Sequence, residues 1–408
     1  MVSNSTFKNT FLFLVCLLVS SLIVNCRATN KKPLTKSIDT TLLVGAENTA
    51  LYFDKLQNKN IGILTNQTGV IRSNKSTDNY DTSIVDFLLT NNIAVKKIYA
   101  PEHGFRGNAD AGELIKDGKD IKTGLPIISL YGNSKKPSKE HLAGIDIMLF
   151  DLQDVGARFY TYISSLHYLM EACAENNISL IVLDRPNPNI DIIDGPTLEM
   201  ENKSFVGMHP IPTMHGMTIG EYAQMINGEK WLNKGVQCDL TIVPITNYNR
   251  NITYALPVPP SPNLPNQKAI NLYASLCFFE GTNVSSGRGT NLQFQVYGSP
   301  YLTNMPYTFT PKPNAGAKDP MHNGKLCYGE NLSQETDVNK LEIKWLLKAY
   351  QNSTDKANFF NNFFIKLAGT KALKEQIIAG KTEQQIRTTW QSGLEKFKQK
   401  RNPYLIYK

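Results

Sequence analysis

The 408-residue chain lacks most of what would hold a metal or a nucleotide. It has six cysteines and six histidines, but no two cysteines stand at metal-ligand spacing. His209 and His215 flank two prolines, a spacing that matches no helical ligand pair, so no metal is expected. No G-x-G-x-x-G follows the first strand, and no dinucleotide or other cofactor is expected. No basic run is interleaved with aromatics, which argues against nucleic acid as a partner. Past the N-terminus no apolar run reaches the roughly 18–20 residues of a membrane span.

What is present suits a globular protein: 41% hydrophobic against 19% charged residues. At about 100–200 residues per domain, the length suggests two or three domains. The net charge of +8 draws much of its excess from lysines in residues 366–408, and a mildly basic face suits an anionic substrate. Residues 1–26 read as an export signal, with Lys8 ahead of an apolar run over 11–24. Residues 23–26 form a loose lipobox with Cys26 as the candidate lipidated residue, although Asn25 fits it poorly. A polar linker spans 27–37. The expectation is an exported, periplasmic protein whose membrane contact, if any, is a lipid anchor at Cys26. Cys173, Cys238, Cys277 and Cys327 are expected as buried thiols, though an oxidising compartment permits a disulfide.

Apolar strands alternate with helices through the first half. Residues 59–65, 93–100, 125–131, 144–151 and 179–184 read as strands, and residues 83–92 and Tyr162–Asn176 as helices. Near-continuous apolar strands between helices signal a parallel sheet covered on both faces. A Rossmann-like, doubly wound α/β domain is expected over 38–235. Pro/Gly-rich segments at 256–265 and 279–290 separate short β pieces at 241–244 and 293–297, and helical patterns return over 342–399. These give a smaller α+β domain over 236–408.

Where the strand at 93–100 ends, residues 101–107 bring a carboxylate, an imidazole and a guanidinium together as Glu102, His103 and Arg106. Asp110 and Glu113 follow. Loops beyond strand ends are where open α/β sheets bind ligands. The alternative is a surface loop with a solvated Glu102–Arg106 pair.

These residues carry a resemblance. The segments 101–107, 151–162, 183–188, 204–207, 215–221, 260–263, 280–284 and 287–290 resemble successive motifs of the exo-β-N-acetylmuramidases of the NamZ/YbbC type. The resemblance runs from about residue 43 to residues 404–407. It implies a Rossmann-like domain paired with a C-terminal domain and an active site in the cleft between them. It also implies release of N-acetylmuramic acid from the non-reducing ends of peptidoglycan fragments, that is, muramyl-glucosamine saccharides, with Glu102 as the catalytic residue. Two positions depart from the pattern: Ser286 stands where many members have an acid, and Pro257 where many have an aromatic. A cell-wall binding protein without turnover is therefore the alternative reading.

Glycoside cleavage needs an acid to protonate the leaving oxygen and a second group that supplies or stabilises the nucleophile. Glu102, beside apolar Phe105, is the expected general acid, with His103 and Arg106 tuning or positioning it. Asp151 leads as the second carboxylate with Asp154 behind it, although an acid after a strand is often a helix cap. The substrate's own acetamido oxygen is a third option, oriented by Tyr160, Asn187 or Asn283. The lactyl carboxylate of muramic acid calls for a guanidinium, and Arg158 and Arg288 are favoured over Arg106 and Arg185. His215 is a candidate for a sugar hydroxyl or for ordering its own loop, and Asn66 and Thr68 are weaker sugar contacts.

Overall fold

The computed structural model describes residues 41–72, 79–106, 117–132 and 134–408. The expected export signal, Cys26, the linker, and Asp110 and Glu113 lie outside the described residues.

Seven strands make the main sheet: β1 (Ile61–Thr65), β2 (Val95–Ala100), β3 (Gly118–Lys119), β4 (Pro126–Ser129), β5 (Ile147–Asp151), β6 (Ser179–Leu183) and β7 (Leu240–Val243). Their order is β7-β6-β5-β1-β2-β4-β3. All neighbours pair in parallel except the short β3, which runs antiparallel to β4. The chain winds outward from β1 in both directions, as a doubly wound α/β sheet does. The strand order therefore reverses between β1 and β5, and ligands bind beyond the carboxyl ends of the strands at such a point.

Alternation explains why the sheet is covered twice. Along β5, Ile147 and Leu149 face one apolar cluster while Met148 and Phe150 face the other. Along β6, Ile181 and Leu183 oppose Leu180 and Val182 in the same way. Side chains that alternate at period 2 on a strand buried on both faces produce this division. One cluster is local and draws in Ile84, Val85 and Leu88 from the helix Ile84–Thr90. The other runs on into Phe278, Phe364, Trp390 and Phe397, so the second half of the chain shares a core with one face of the sheet.

The strand expected at 241–244 in the second domain is in fact the sheet's edge. Leu240–Val243 pairs in parallel with Leu180–Leu183, carrying the sheet past residue 235. Its apolar run is visible in sequence, but the long-range pairing that assigns it to a sheet is not. Beyond it come the helix Gln267–Leu276 and a three-stranded antiparallel sheet of β8 (Val296–Ser299), β9 (Tyr307–Phe309) and β10 (Cys327–Asn331). Helices Lys344–Gln351, Phe363–Ala368, Ala372–Ile378 and Glu383–Arg401 follow. Cys173, Cys238, Cys277 and Cys327, the cysteines among the described residues, are buried free thiols.

Candidate active site

Glu102 stands one residue after Pro101, at the carboxyl end of β2. The backbone turns here at once, with the Gly104 amide donating to the Pro101 carbonyl at 3.0 Å. His103 holds φ at +69°, a region that glycine favours and other residues enter at a cost of order 1–3 kcal/mol. That turn buries His103 and aims the half-buried Glu102 into a pocket of about 530 Å³.

Both carboxylate oxygens of Glu102 are held. Oε1 accepts from the Tyr131 hydroxyl at 2.9 Å, and Oε2 from Thr161 Oγ1 at 2.7 Å. Thr161 is the N-cap of the helix Tyr162–Asn176, and its hydroxyl makes no capping bond. The Glu102 carboxyl thus sits beside a helix start.

The second half of the chain supplies the facing chemistry. After the helix Gln267–Leu276, a tight turn at Cys277–Gly281 carries Glu280 to the pocket. Gly281 fixes that turn against its neighbour, since a Cβ there would lie 2.4 Å from the Phe364 Cα. Arg288 donates to Glu280 Oε1 from Nε at 2.9 Å and from Nη2 at 2.6 Å. Its guanidinium also lies over Phe294, 5.1 Å from the ring centre. The Glu280 charge and hydrogen bond raise the Arg288 pKa against the burial that lowers it. The Cys277 thiol is pushed well above its ordinary pKa, by burial first and then by the charges of Glu280 and, less, Glu102. It stays a neutral thiol, and both glutamates lie within electrostatic reach of it.

Between these groups the pocket wall is aromatic. Tyr273 packs edge-on against Phe159, Tyr160 and Phe294 at 5.5, 5.7 and 5.0 Å between ring centres. Such faces suit the apolar side of a pyranose ring. Phe205 and Tyr131 extend the aromatic wall outward, with Lys135 Nζ 5.0 Å from the Phe205 ring centre. Ser286 lines the same pocket and offers only a hydroxyl.

Four of the residues singled out from sequence meet here: Glu102, His103, Tyr160 and Arg288. Tyr160 turns its hydroxyl away, donating to the Pro260 carbonyl at 2.8 Å. The others do not line the pocket. Asp151 is fully buried, and Arg185 takes both its oxygens, Oδ1 at 2.5 Å and Oδ2 at 2.9 Å. That arrangement makes Asp151 a core acid rather than a catalytic one. Arg158 is fully buried as well, donating to the carbonyls of Pro196, Ile211, Leu367 and Ala368. Burial works against its charged form, and four carbonyls compensate by clamping the two halves of the chain together, away from the pocket lining. Arg106 is exposed and bonds Asp120 at 2.7 Å. Asn187 donates to the Met217 carbonyl and accepts from the Asn189 amide, closing its own turn. His215 is buried, accepts from the Met217 amide and lies 3.5 Å from Asp154, so it orders its loop. Asp154 in turn accepts from the Gly156 amide. The Asn283 side-chain amide is buried beside the pocket with no hydrogen-bond partner among the described residues. Asn66 and Thr68 bond each other, and Asn66 bonds Tyr162.

Sequence reasoning missed Glu280 as a site residue. It belongs to a family motif, but no strand precedes it and its partner lies eight positions on. The signal available was that motif's closeness to Gly287, Arg288 and Gly289.

Comparison with known proteins agrees with this architecture. The N-terminal and C-terminal models of exo-β-N-acetylmuramidase NamZ match residues 61–268 and 271–407. The chain is 38% identical to the peptidoglycan β-N-acetylmuramidase NamZ of Bacillus subtilis (strain 168), over 98% of this chain and all of that protein. Two crystal structures of DUF1343 family proteins from Bacteroides fragilis NCTC 9343 also match. One has 47% identity and a TM-score of 0.82, covering 90% of this chain and 99% of that one. The other has 28% identity and a TM-score of 0.76, covering 90% of this chain and all of that one. With both family models matched in order across nearly all the described residues, the chain belongs to the NamZ family of exo-β-N-acetylmuramidases.

Proposed function

We propose that the chain is an exo-acting glycoside hydrolase of cell-wall recycling. It releases N-acetylmuramic acid from the non-reducing ends of peptidoglycan-derived muramyl-glucosamine fragments. The observation that carries this reading is Glu102, fixed through both oxygens by Tyr131 and Thr161 at an aromatic-walled pocket. In this role Glu102 in its acid form gives a proton to the glycosidic oxygen as the bond to the anomeric carbon breaks. Tyr131 and Thr161 hold the carboxyl in one orientation, so the proton meets the leaving oxygen without a search. The aromatic wall takes the apolar face of the sugar ring, and Arg288 is the arginine placed to feel a lactyl carboxylate.

The apolar run and Lys8 at the N-terminus support export to the periplasm, with Cys26 as the residue that would carry a lipid anchor.

The test incubates the mature chain with a chromogenic β-muramide, the matching β-glucosaminide and a muropeptide. Release from the muramide and not from the glucosaminide is expected. Binding of the muramide without release would favour a cell-wall binding protein, the alternative that Ser286 raises. Cleavage of the peptide alone would overturn the glycosidase reading.

A further inference from the structure

We propose that Glu280 is the second catalytic carboxylate of this pocket, an inference that rests on the glycosidase reading above. A glycosidase with one acid in place needs a partner that supplies an electron pair at the anomeric carbon. Three carboxylates line the pocket among the described residues: Glu102, Glu280 and Asp319. Asp319 is exposed at the rim, whereas Glu280 is only about a quarter exposed. Asp151 and Asp184 are fully buried, their oxygens taken by Arg185 and by Thr218, Gly220, Tyr407 and the Arg185 amide. Ser286 offers no acid.

Glu280 is also built as a reacting group is built. Its backbone is locked by Gly281 packing on Phe364 and by Asn361, which donates to the Glu280 carbonyl at 3.2 Å. Arg288 spends two donors on one oxygen, Oε1. Oε2 accepts none of the described hydrogen bonds, so the carboxyl is oriented yet keeps a lone pair for the substrate. Glu102 and Glu280 come from opposite halves of the chain, so bringing the halves together assembles the pair.

In the step itself, the proton of Glu102 goes to the glycosidic oxygen as the C1–O bond breaks. Glu280 replaces that bond either with its own C1–O bond, later hydrolysed by water whose proton returns to Glu102, or with that of a water whose proton it accepts. In both, one water is consumed and no oxidant or reductant is needed.

Azide separates this role from a structural one. Glu280→Ala and Glu280→Gln are assayed on the chromogenic β-muramide with and without sodium azide, beside the wild-type chain. Loss of kcat by roughly 10²–10⁴-fold is expected in both. In Glu280→Ala, azide attacks C1 as the phenol leaves, and a muramyl azide appears by mass spectrometry. The anomer of muramic acid first released by the wild-type enzyme, read by NMR, reports which of the two routes it takes. Variants within about tenfold of wild type overturn the proposal, as does a folded Glu280→Ala that is inactive and yields no azide product. If Glu280→Ala fails to fold, Glu280→Gln decides by kcat, because it keeps Oε1 for Arg288. A wild-type chain silent on the muramide would instead sink the glycosidase reading, leaving the two failures distinguishable.

Discussion

Two acid–arginine pairs sit in motif loops of this chain, and they do opposite things. Asp151 and Arg185 meet at the carboxyl ends of β5 and β6 with side chains essentially inaccessible to water. Glu280 and Arg288 meet in the pocket wall, each side chain about a quarter exposed. In the first pair both carboxylate oxygens are consumed, and Arg185 also reaches the Val70 carbonyl. In the second, two guanidinium donors crowd onto one oxygen and the other is left for a ligand. Both pair a motif-loop carboxylate with an arginine; solvent position and the count of engaged lone pairs separate a fastener from a site.

That contrast predicts which property each mutation disturbs. Asp151→Ala leaves the Arg185 guanidinium buried without its partner, and breaking such a pair costs about 3–5 kcal/mol. Urea unfolding should show that loss, whereas Glu280→Gln should lose turnover while keeping its unfolding midpoint close to wild type. Equal stability losses in the two would erase the distinction.

A buried histidine cluster behind the sheet gives the next largest effect. His209 bonds His167 at 2.9 Å and the Tyr222 hydroxyl at 2.8 Å, with Trp231 stacked on its ring. Burial lowers the His167 pKa to about 4. Because this folded-state pKa lies below the ordinary 6.5, the unfolded chain binds the proton that the folded chain refuses. Stability from His167 is therefore complete above about pH 6.5 and drains away as pH falls toward 4, by about 2 kcal/mol at pH 5. Asp184, raised by burial to about 7, works in the opposite sense over the same range. The comparison that isolates His167 is with His167→Gln: the wild type's stability advantage over that variant should shrink by about 2 kcal/mol between pH 7 and pH 5. An advantage constant with pH would contradict the assignment.

The smallest effect belongs to the third pair. Arg106 is bonded to Asp120 with its side chain 42% exposed. Asp120 is buried, but a lysine at 106 keeps the charge at the exposed end of the pair, so the loss should stay within about 1 kcal/mol. Arg106→Lys should leave the unfolding midpoint and the KM for a muramide nearly unchanged; a large rise in KM would return Arg106 to the site.

Much of the fold was legible because buried parallel strands write themselves as apolar runs, and the helix Tyr162–Asn176 falls where its stripe of apolar residues lies. The edge strand Leu240–Val243 was legible as a strand but not as part of this sheet. Its partner β6 lies about 60 residues earlier, and no local pattern encodes that distance. Glu102 was legible because a strand end, a turn and a family motif coincide on it. Asp151 shared the first of those signals, and the sequence does not say whether a strand-end acid turns toward a pocket or toward Arg185. Arg158 looked like an anion receptor because it stands in a motif loop near Gly156; only the four carbonyls converging on it reveal a clamp.

In the proposed reaction Glu102 protonates the leaving group. The most direct test of that role compares Glu102→Gln with wild type on two muramides, the glucosamine-linked disaccharide and one whose leaving group is an acidic phenol that departs without a proton. A loss of roughly 10²–10⁴-fold is expected on the disaccharide and a far smaller loss on the phenol. Equal losses on both substrates, or none on either, would contradict it.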